Sequence, residues 1–247
     1  MSLHNRVVLV TGGSRGIGRG IAMRLAQDGA RVAIAYRSNK AAAQQTLLQL
    51  QATGADCVAV ETDISDPGRA EQLLKTVVDR FARVDVVVNN VGDFRWGMVA
   101  ESSLEDWQNI FSSNLMTVLC VSRSALPHMR RGRWGRIINL GAVGAERAFG
   151  QAKISAYAAA KAAVVALSRS LALEEAKNGI TVNVVNPSSI DENELTLSEA
   201  RRIRDARFPI GRPPTVEDVA ATVSFFASEE AEYVTGQVMN VSGGWML

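Results

Sequence analysis

Arg6-Val7-Val8-Leu9-Val10-Thr11-Gly12-Gly13-Ser14-Arg15-Gly16-Ile17-Gly18 is the stretch that decides how this chain folds. Its first residues form a short, valine-rich run that reads as a strand buried in a parallel sheet. The glycines follow at once, and Ile21 and Leu25 then recur at helical spacing. Strand, glycine turn and helix together make a phosphate-binding arrangement. Glycine lets the backbone approach a pyrophosphate, and free N–H groups at the helix start receive its negative charge. Gly12, Ser14, Arg15, Gly16, Ile17 and Gly18 are the candidate contacts. The spacing differs from the commonest G-x-G-x-x-G fingerprint, so the turn taken alone also suits an ordinary tight bend. Its position between a strand and a helix favours a nucleotide.

Further strand-like runs lie near residues 31–36, 57–60, 85–89, 136–140, 180–185 and 237–241, and helical patterns fill most of the gaps. Regular β-α alternation predicts a parallel sheet with helices on both faces, and right-handed crossovers make it doubly wound. The expectation is a single α/β domain over residues 1–247, a Rossmann fold with a seven-stranded parallel sheet. No linker, low-complexity tract or fixed-period repeat interrupts it. A chain of 247 residues with 47% hydrophobic composition can bury a sizeable core.

The formal net charge is only +2, which gives no electrostatic case for nucleic acid or an acidic membrane surface. Arg130, Arg131, Arg133 and Arg136 read as a solvated helix end, where cations suit the dipole. The sequence shows neither a secretory-type leader nor an uninterrupted apolar run of about twenty residues. Cys57 and Cys120 stand in apolar surroundings, as buried thiols of a reducing, cytoplasmic compartment would. His4 and His128 lack partners at metal-ligand spacing, so no metal site is expected.

Two more segments carry chemistry. Val84-Asp85-Val86-Val87-Val88-Asn89-Asn90-Val91-Gly92 is another apolar strand, ending in two amides and a glycine, where a ligand at the carboxyl edge of a parallel sheet lies. Ser155-Ala156-Tyr157-Ala158-Ala159-Ala160-Lys161 sets a phenol and an ammonium one helical turn apart. A free tyrosine ionises near pH ~10, and a fixed neighbouring cation favours the phenolate, which makes the pair a tunable acid and base. Chance alone also produces such pairs on exposed helices.

With Thr11–Gly18, Asp63-Ile64-Ser65-Asp66, Asn89–Gly92, Asn114, Tyr157–Lys161, Ile180–Pro187 and Thr235-Gly236-Gln237-Val238 in this order, the chain resembles the short-chain dehydrogenase/reductase family. It is most similar to the 3-oxoacyl-acyl-carrier-protein reductase branch. The resemblance implies hydride transfer between a nicotinamide and a carbonyl or alcohol carbon. In that reading Tyr157 donates the proton, Lys161 lowers its pKa and bonds the nicotinamide ribose, and Asn114 holds a water of the proton relay. An alternative for Asn114 is a plain helix residue bonded to backbone. The resemblance further puts Asp63 and Ile64 at the adenine, and Asn90, Val91, Gly92, Pro187, Ser188 and Ile190 along the cofactor. Relatives that use NAD(H) usually carry Asp or Glu at the end of the second strand. This chain has Tyr36, followed by Arg37 and Ser38. Arg15 and Arg37 suit a 2′-phosphate through their planar forks, so NADP(H) is preferred over NAD(H).

Two departures stand out. Members usually carry a serine just after the fifth strand, but Ile137-Ile138-Asn139-Leu140-Gly141-Ala142-Val143-Gly144 has Ala142 there, and the stretch on to Tyr157 runs slightly longer. After the sixth strand the usual Pro-Gly is Pro187-Ser188, and Ser188 or Ser189 either offers a hydroxyl or is simply loop. Asp191 to Arg207 is expected to form the substrate lid. Phe94, Arg95 and Trp96 are candidate cleft walls, with ordinary packing the alternative for the aromatics. The leading reading is an NADP(H)-dependent reductase of 3-oxoacyl type, impaired by Ala142, acting on a small-molecule or acyl-thioester carbonyl. The alternatives are a sugar, steroid or cyclic-ketone dehydrogenase of the same family, and a catalytically decayed NADP(H)-binding sensor or partner subunit. Family analogy implies a homotetramer.

Overall fold

Valine and isoleucine alternate between two separate cores, and that alternation builds the sheet. The computed structural model of the protein describes residues 2–190 and 195–246. Its strands are β1 Val7–Thr11, β2 Arg31–Tyr36, β3 Cys57–Glu61, β4 Val86–Asn89, β5 Gly135–Leu140, β6 Ile180–Pro187 and β7 Val238–Val241. They form one seven-stranded sheet in the order β3-β2-β1-β4-β5-β6-β7. Every neighbouring pair is parallel. The single Rossmann-like α/β domain expected from the sequence is therefore present, with strand limits within a residue or two of those read from the pattern.

The helices are α1 Gly16–Gln27, α2 Lys40–Ala52, α3 Pro67–Phe81, α4 Leu104–Phe111, α5 Thr117–Gly132, α6 Ser155–Glu175, the short α7 Leu197–Ala200 and α8 Val216–Ala227. On one face Val8, Val10, Val32, Ile34, Val86, Val88 and Ile138 pack with Ile21 and Leu25 of α1 and with Val219, Val223 and Phe226 of α8. On the other, Val7, Leu9, Ala33, Val87 and Ile137 pack with Leu73, Leu74 and Val77 of α3 and with Val121, Ala125 and Met129 of α5. Because side chains alternate along a strand, both faces can be apolar only if the run is nearly continuous. Each such fully buried aliphatic side chain contributes about 1.5–3 kcal/mol. Helix α6, with the turn that follows it, is long and apolar enough by length and composition to cross a membrane. Here it packs along β6 and buries Lys161, Val164, Val165 and Leu171.

The arginine cluster differs from the sequence expectation. Arg130 pairs with the buried Glu175, and Arg131 meets His128. Arg136, however, lies on β5 and is 2% exposed. Its guanidinium stacks 4.2 Å from the Trp134 ring centroid, while Arg6 lies 3.7 Å from the same ring. It donates to the carbonyls of Gly135, Gly179 and Ser228, which satisfy the buried charge. Burial lowers its pKa to about 10. Cys57 and Cys120 are free thiols, only partly buried. Of residues 191–207, expected to form a lid, 191–194 fall outside the described residues, and α7 begins shortly after them with a Thr196–Glu199 capping box.

Strand order reverses between β1 and β4, so the crevice outside their carboxyl ends is the place for a ligand. The glycine turn closes one side of it. A Cβ on Gly18 would stand 2.3 Å from the Gly12 carbonyl oxygen and 2.6 Å from the Asn90 amide nitrogen. Gly18→Ala is therefore expected to cost about 1–3 kcal/mol in urea unfolding. Gly132→Ala, with nothing within 4 Å of its Cβ, stays within about 0.5 kcal/mol of the parent.

Candidate active site

The crevice is assembled from backbone before any reactive side chain enters it. Gly12 and Gly16 take the positive φ values of 63° and 54° that carry β1 into α1. Asn90 grips this turn, donating from Nδ2 to the carbonyls of Thr11 at 3.1 Å and Gly12 at 3.3 Å. Thr11 replies through Oγ1, which accepts the N–H groups of Asn90 at 3.0 Å and Val91 at 3.3 Å. Thr46 fixes the next residue, donating its hydroxyl to the Ser14 carbonyl at 3.0 Å. At the start of α1, Arg15 gives no side-chain cap, and the first turn holds no acidic residue. The positive end of that helix thus keeps its preference for an anion. Glycine cradle, uncapped helix start and open crevice fit a dinucleotide's pyrophosphate.

Toward the second strand, Arg37 and Asp93 approach across the crevice, with Nη1 to Oδ2 at 3.9 Å. Both are largely exposed. Asp63 accepts from the Ser65 hydroxyl and N–H at 2.7 and 3.1 Å. These bonds, aided by Arg37, hold its carboxyl below the usual range. Ile64 is buried in the core beneath. The Tyr36 hydroxyl donates to Glu61 Oε2 at 3.3 Å, so a carboxylate stands at the end of β3 where β2 itself has none. Partial burial and Glu61 together raise the Tyr36 pKa.

Toward the fourth strand, Gly92 brings two sequence-distant groups together. A Cβ there would lie 2.3 Å from Asn114 Oδ1 and 3.3 Å from Lys161 Nζ. Asn114 sits in a π-helical turn, Ser112–Met116, between α4 and α5. Such a widened turn frees a side chain from the regular ladder and is frequent at functional sites. Its Nδ2 donates to the carbonyls of Asp93 at 2.8 Å and Ile110 at 3.0 Å. Its Oδ1 is buried and has no partner among the described residues, which leaves an acceptor aimed beside Gly92. Lys161, 4% exposed, donates to the Leu140 carbonyl at 2.8 Å. Its Nζ lies 5.5 Å from the centroid of the Tyr157 ring.

Burial governs both members of this pair. It pushes Tyr157 up to about 12 and Lys161 down to about 8. In the protein alone the ammonium therefore does not bring the phenol down as expected from the spacing, because desolvation penalises both charged forms. The Tyr157 hydroxyl has no hydrogen-bond partner among the described residues, and Phe94 packs on its ring at 5.0 Å between centroids. Ala142 follows β5 as expected from the sequence, and its methyl offers no hydrogen bond. Ser188 is buried with its Oγ unpartnered among the described residues.

Several participants left no local signal. Glu146 accepts from Asn186 at 3.0 Å and Asn240 at 2.9 Å, and Asn186 donates to Asn240 Oδ1 at 2.9 Å. This ring ties the loop after β5 to β6 and β7. Beneath it, Asn89 donates to Asn139 at 2.8 Å, and Asn139 to Ser168 at 2.8 Å. Among the described residues, no group of three or more His, Cys, Asp or Glu side chains has a geometry that could hold a metal ion.

Comparison with known proteins agrees with this architecture. A family model described as Enoyl-(Acyl carrier protein) reductase matches residues 12–246. The 3-oxoacyl-(acyl-carrier-protein) reductase FabG of Staphylococcus aureus is 39% identical over 96% of this chain and 96% of its own. That of Vibrio cholerae is 38% identical over 99% and 98%. The solved acetoin dehydrogenase YohF of Salmonella typhimurium superposes with a TM-score of 0.90 at 32% identity, covering 98% of this chain and 96% of its own. The strand order, the Tyr157–Lys161 helix and these full-length relatives lead to one conclusion: the chain belongs to the short-chain dehydrogenase/reductase family of oxidoreductases.

Proposed function

We propose that the protein is an NADP(H)-dependent reductase of ketone carbonyls, of the 3-oxoacyl reductase type. The observation that carries this reading is the meeting of Asn114, Lys161 and Gly92 beside the Tyr157 ring, at the carboxyl edge of β4. The nicotinamide, when bound and reduced, supplies hydride to a carbonyl carbon. The glycine turn and the start of α1 hold the pyrophosphate, and Asp63 and Ile64 border the adenine. Arg37 and Ser38, with Arg15, receive the 2′-phosphate, while Asn90, Val91, Gly92, Pro187, Ser188 and Ile190 line the remainder.

Tyr157 carries the proton that the carbonyl oxygen takes up. Burial raises its pKa to about 12, so the phenol is protonated throughout the neutral range and has a proton to give, though as a weak acid. Lys161 holds positive charge close by and hydrogen-bonds the ribose. The buried Asn114 Oδ1 is the acceptor that orders a water for returning the proton. Ala142 removes one hydrogen bond to the developing oxyanion, a loss of about 3 kcal/mol, on the order of a hundredfold in rate. The same residue favours a second reading, a cofactor-binding subunit without turnover. Apolar side chains left open on α5 and α6 (Leu119 at 37% and Leu173 at 83%) and on β7 (Met239 at 40%) support assembly into a homotetramer.

Tyr157→Phe is expected to abolish ketone-dependent NADPH oxidation while cofactor titration, followed by NADPH fluorescence, gives an unchanged Kd. Equal rates in parent and variant would end the proton-donor assignment, and tight NADPH binding by a parent that turns over no ketone would select the subunit reading. Ala142→Ser is expected to raise kcat on an accepted ketone on the order of tenfold or more; no gain on any ketone counts against the missing-donor account. Arg37→Ala should weaken NADPH on the order of tenfold and NADH by less than about twofold in the same titration. Equal losses would remove Arg37 from the 2′-phosphate.

A further inference from the structure

Two aromatic side chains outside the proton-transfer set stand over the reactive phenol. Phe94 meets the Tyr157 ring edge-on, with centroids 5.0 Å apart and an interplanar angle of 79°. Trp96 meets Phe94 in the same manner, at 5.1 Å and 85°. Neither belongs to a core, for Phe94 is 48% and Trp96 61% exposed. Their loop is nonetheless held in place. The Asp93 carbonyl accepts from Asn114 at 2.8 Å, Gly97 N–H donates to the Lys153 carbonyl at 2.8 Å, and Arg95 pairs with Asp106.

A fixed but uncovered aromatic pair beside a reactive group is a surface shaped for a ligand. We infer that the substrate is an aryl ketone, with its flat ring against Phe94 and Trp96 and its carbonyl at the Tyr157 hydroxyl. This rests on the reductase reading above and sets an aryl ketone in place of the 3-oxoacyl chain. The edge-to-face geometry leaves ring faces and edges that a flat ring complements, which a straight acyl chain cannot do through area alone. Binding held at a remote ring also compensates at the reacting carbon for a donor that is absent. Ala142 removes such a donor. The reaction forms a C–H bond at the carbonyl carbon from the hydride, and the former C=O π pair forms an O–H bond with the Tyr157 proton. Two electrons leave NADPH, and the ring is untouched.

The test compares acetophenone with 2-octanone in steady-state NADPH oxidation by the full chain. It also measures acetophenone binding by quenching of intrinsic fluorescence in the presence of NADP+, where Trp96 is one of four tryptophans. The expected result is a kcat/KM at least about tenfold higher for the aryl ketone. In Trp96→Ala this ratio falls about tenfold, the quenching is lost, and Trp96→Phe restores much of the ratio. Comparable kcat/KM for the two ketones, a Trp96→Ala variant with an unchanged ratio, or quenching that survives in that variant would overturn the assignment. Failure of NADPH itself to bind would instead strike the reductase reading, and the two failures are thereby distinguishable.

Discussion

Asn90 cross-links the carboxyl ends of β1 and β4 by donating its side-chain amide to the carbonyls of Thr11 and Gly12. Those carbonyls lie where the glycine turn leaves the sheet. The link sets the height of the turn above the sheet. It also fixes the next residues of the β4 loop, because Thr11 Oγ1 receives the N–H groups of Asn90 and Val91 in return. Gly92 then comes to rest against Asn114 and Lys161. The glycine turn and the meeting of Gly92, Asn114 and Lys161 thus share one anchor.

The electrostatics of the pair at α6 follow from burial rather than from mutual attraction. Lys161 spends a hydrogen bond on the Leu140 carbonyl, and nothing among the described residues accepts or donates at the Tyr157 hydroxyl. With the phenol near 12 and the ammonium near 8, each is poised on the reluctant side of its ionisation. Burial therefore leaves the phenol protonated and only weakly acidic.

The sheet was legible because its signal is local. Valine runs such as Val86–Val88 and glycine turns such as Gly12–Gly18 specify their conformation within a few residues. The spacing of Tyr157 and Lys161 likewise needed only one helix. What escaped depends on contacts between distant residues. Arg136 looked like one more cation in a basic cluster, yet its place on β5 lays it against Trp134 and three carbonyls. Asn114 could be read as a helix residue, but only the chain's path past Gly92 leaves its Oδ1 without a partner. The stacking of Phe94 on Tyr157 joins residues far apart in sequence, and no periodicity announces it.

The loop between Ala142 and Tyr157 is fastened at its far side to the end of the chain. Glu146 grips Asn240 on β7, and Arg147 reaches the Met246 carbonyl at 2.5 Å. Residues 240–246 therefore serve as a mooring for the loop that joins β5 to α6. Alterations at Asn240 or Met246, remote in sequence from this loop, reach it through those two hydrogen-bonded tethers and register as changed geometry there.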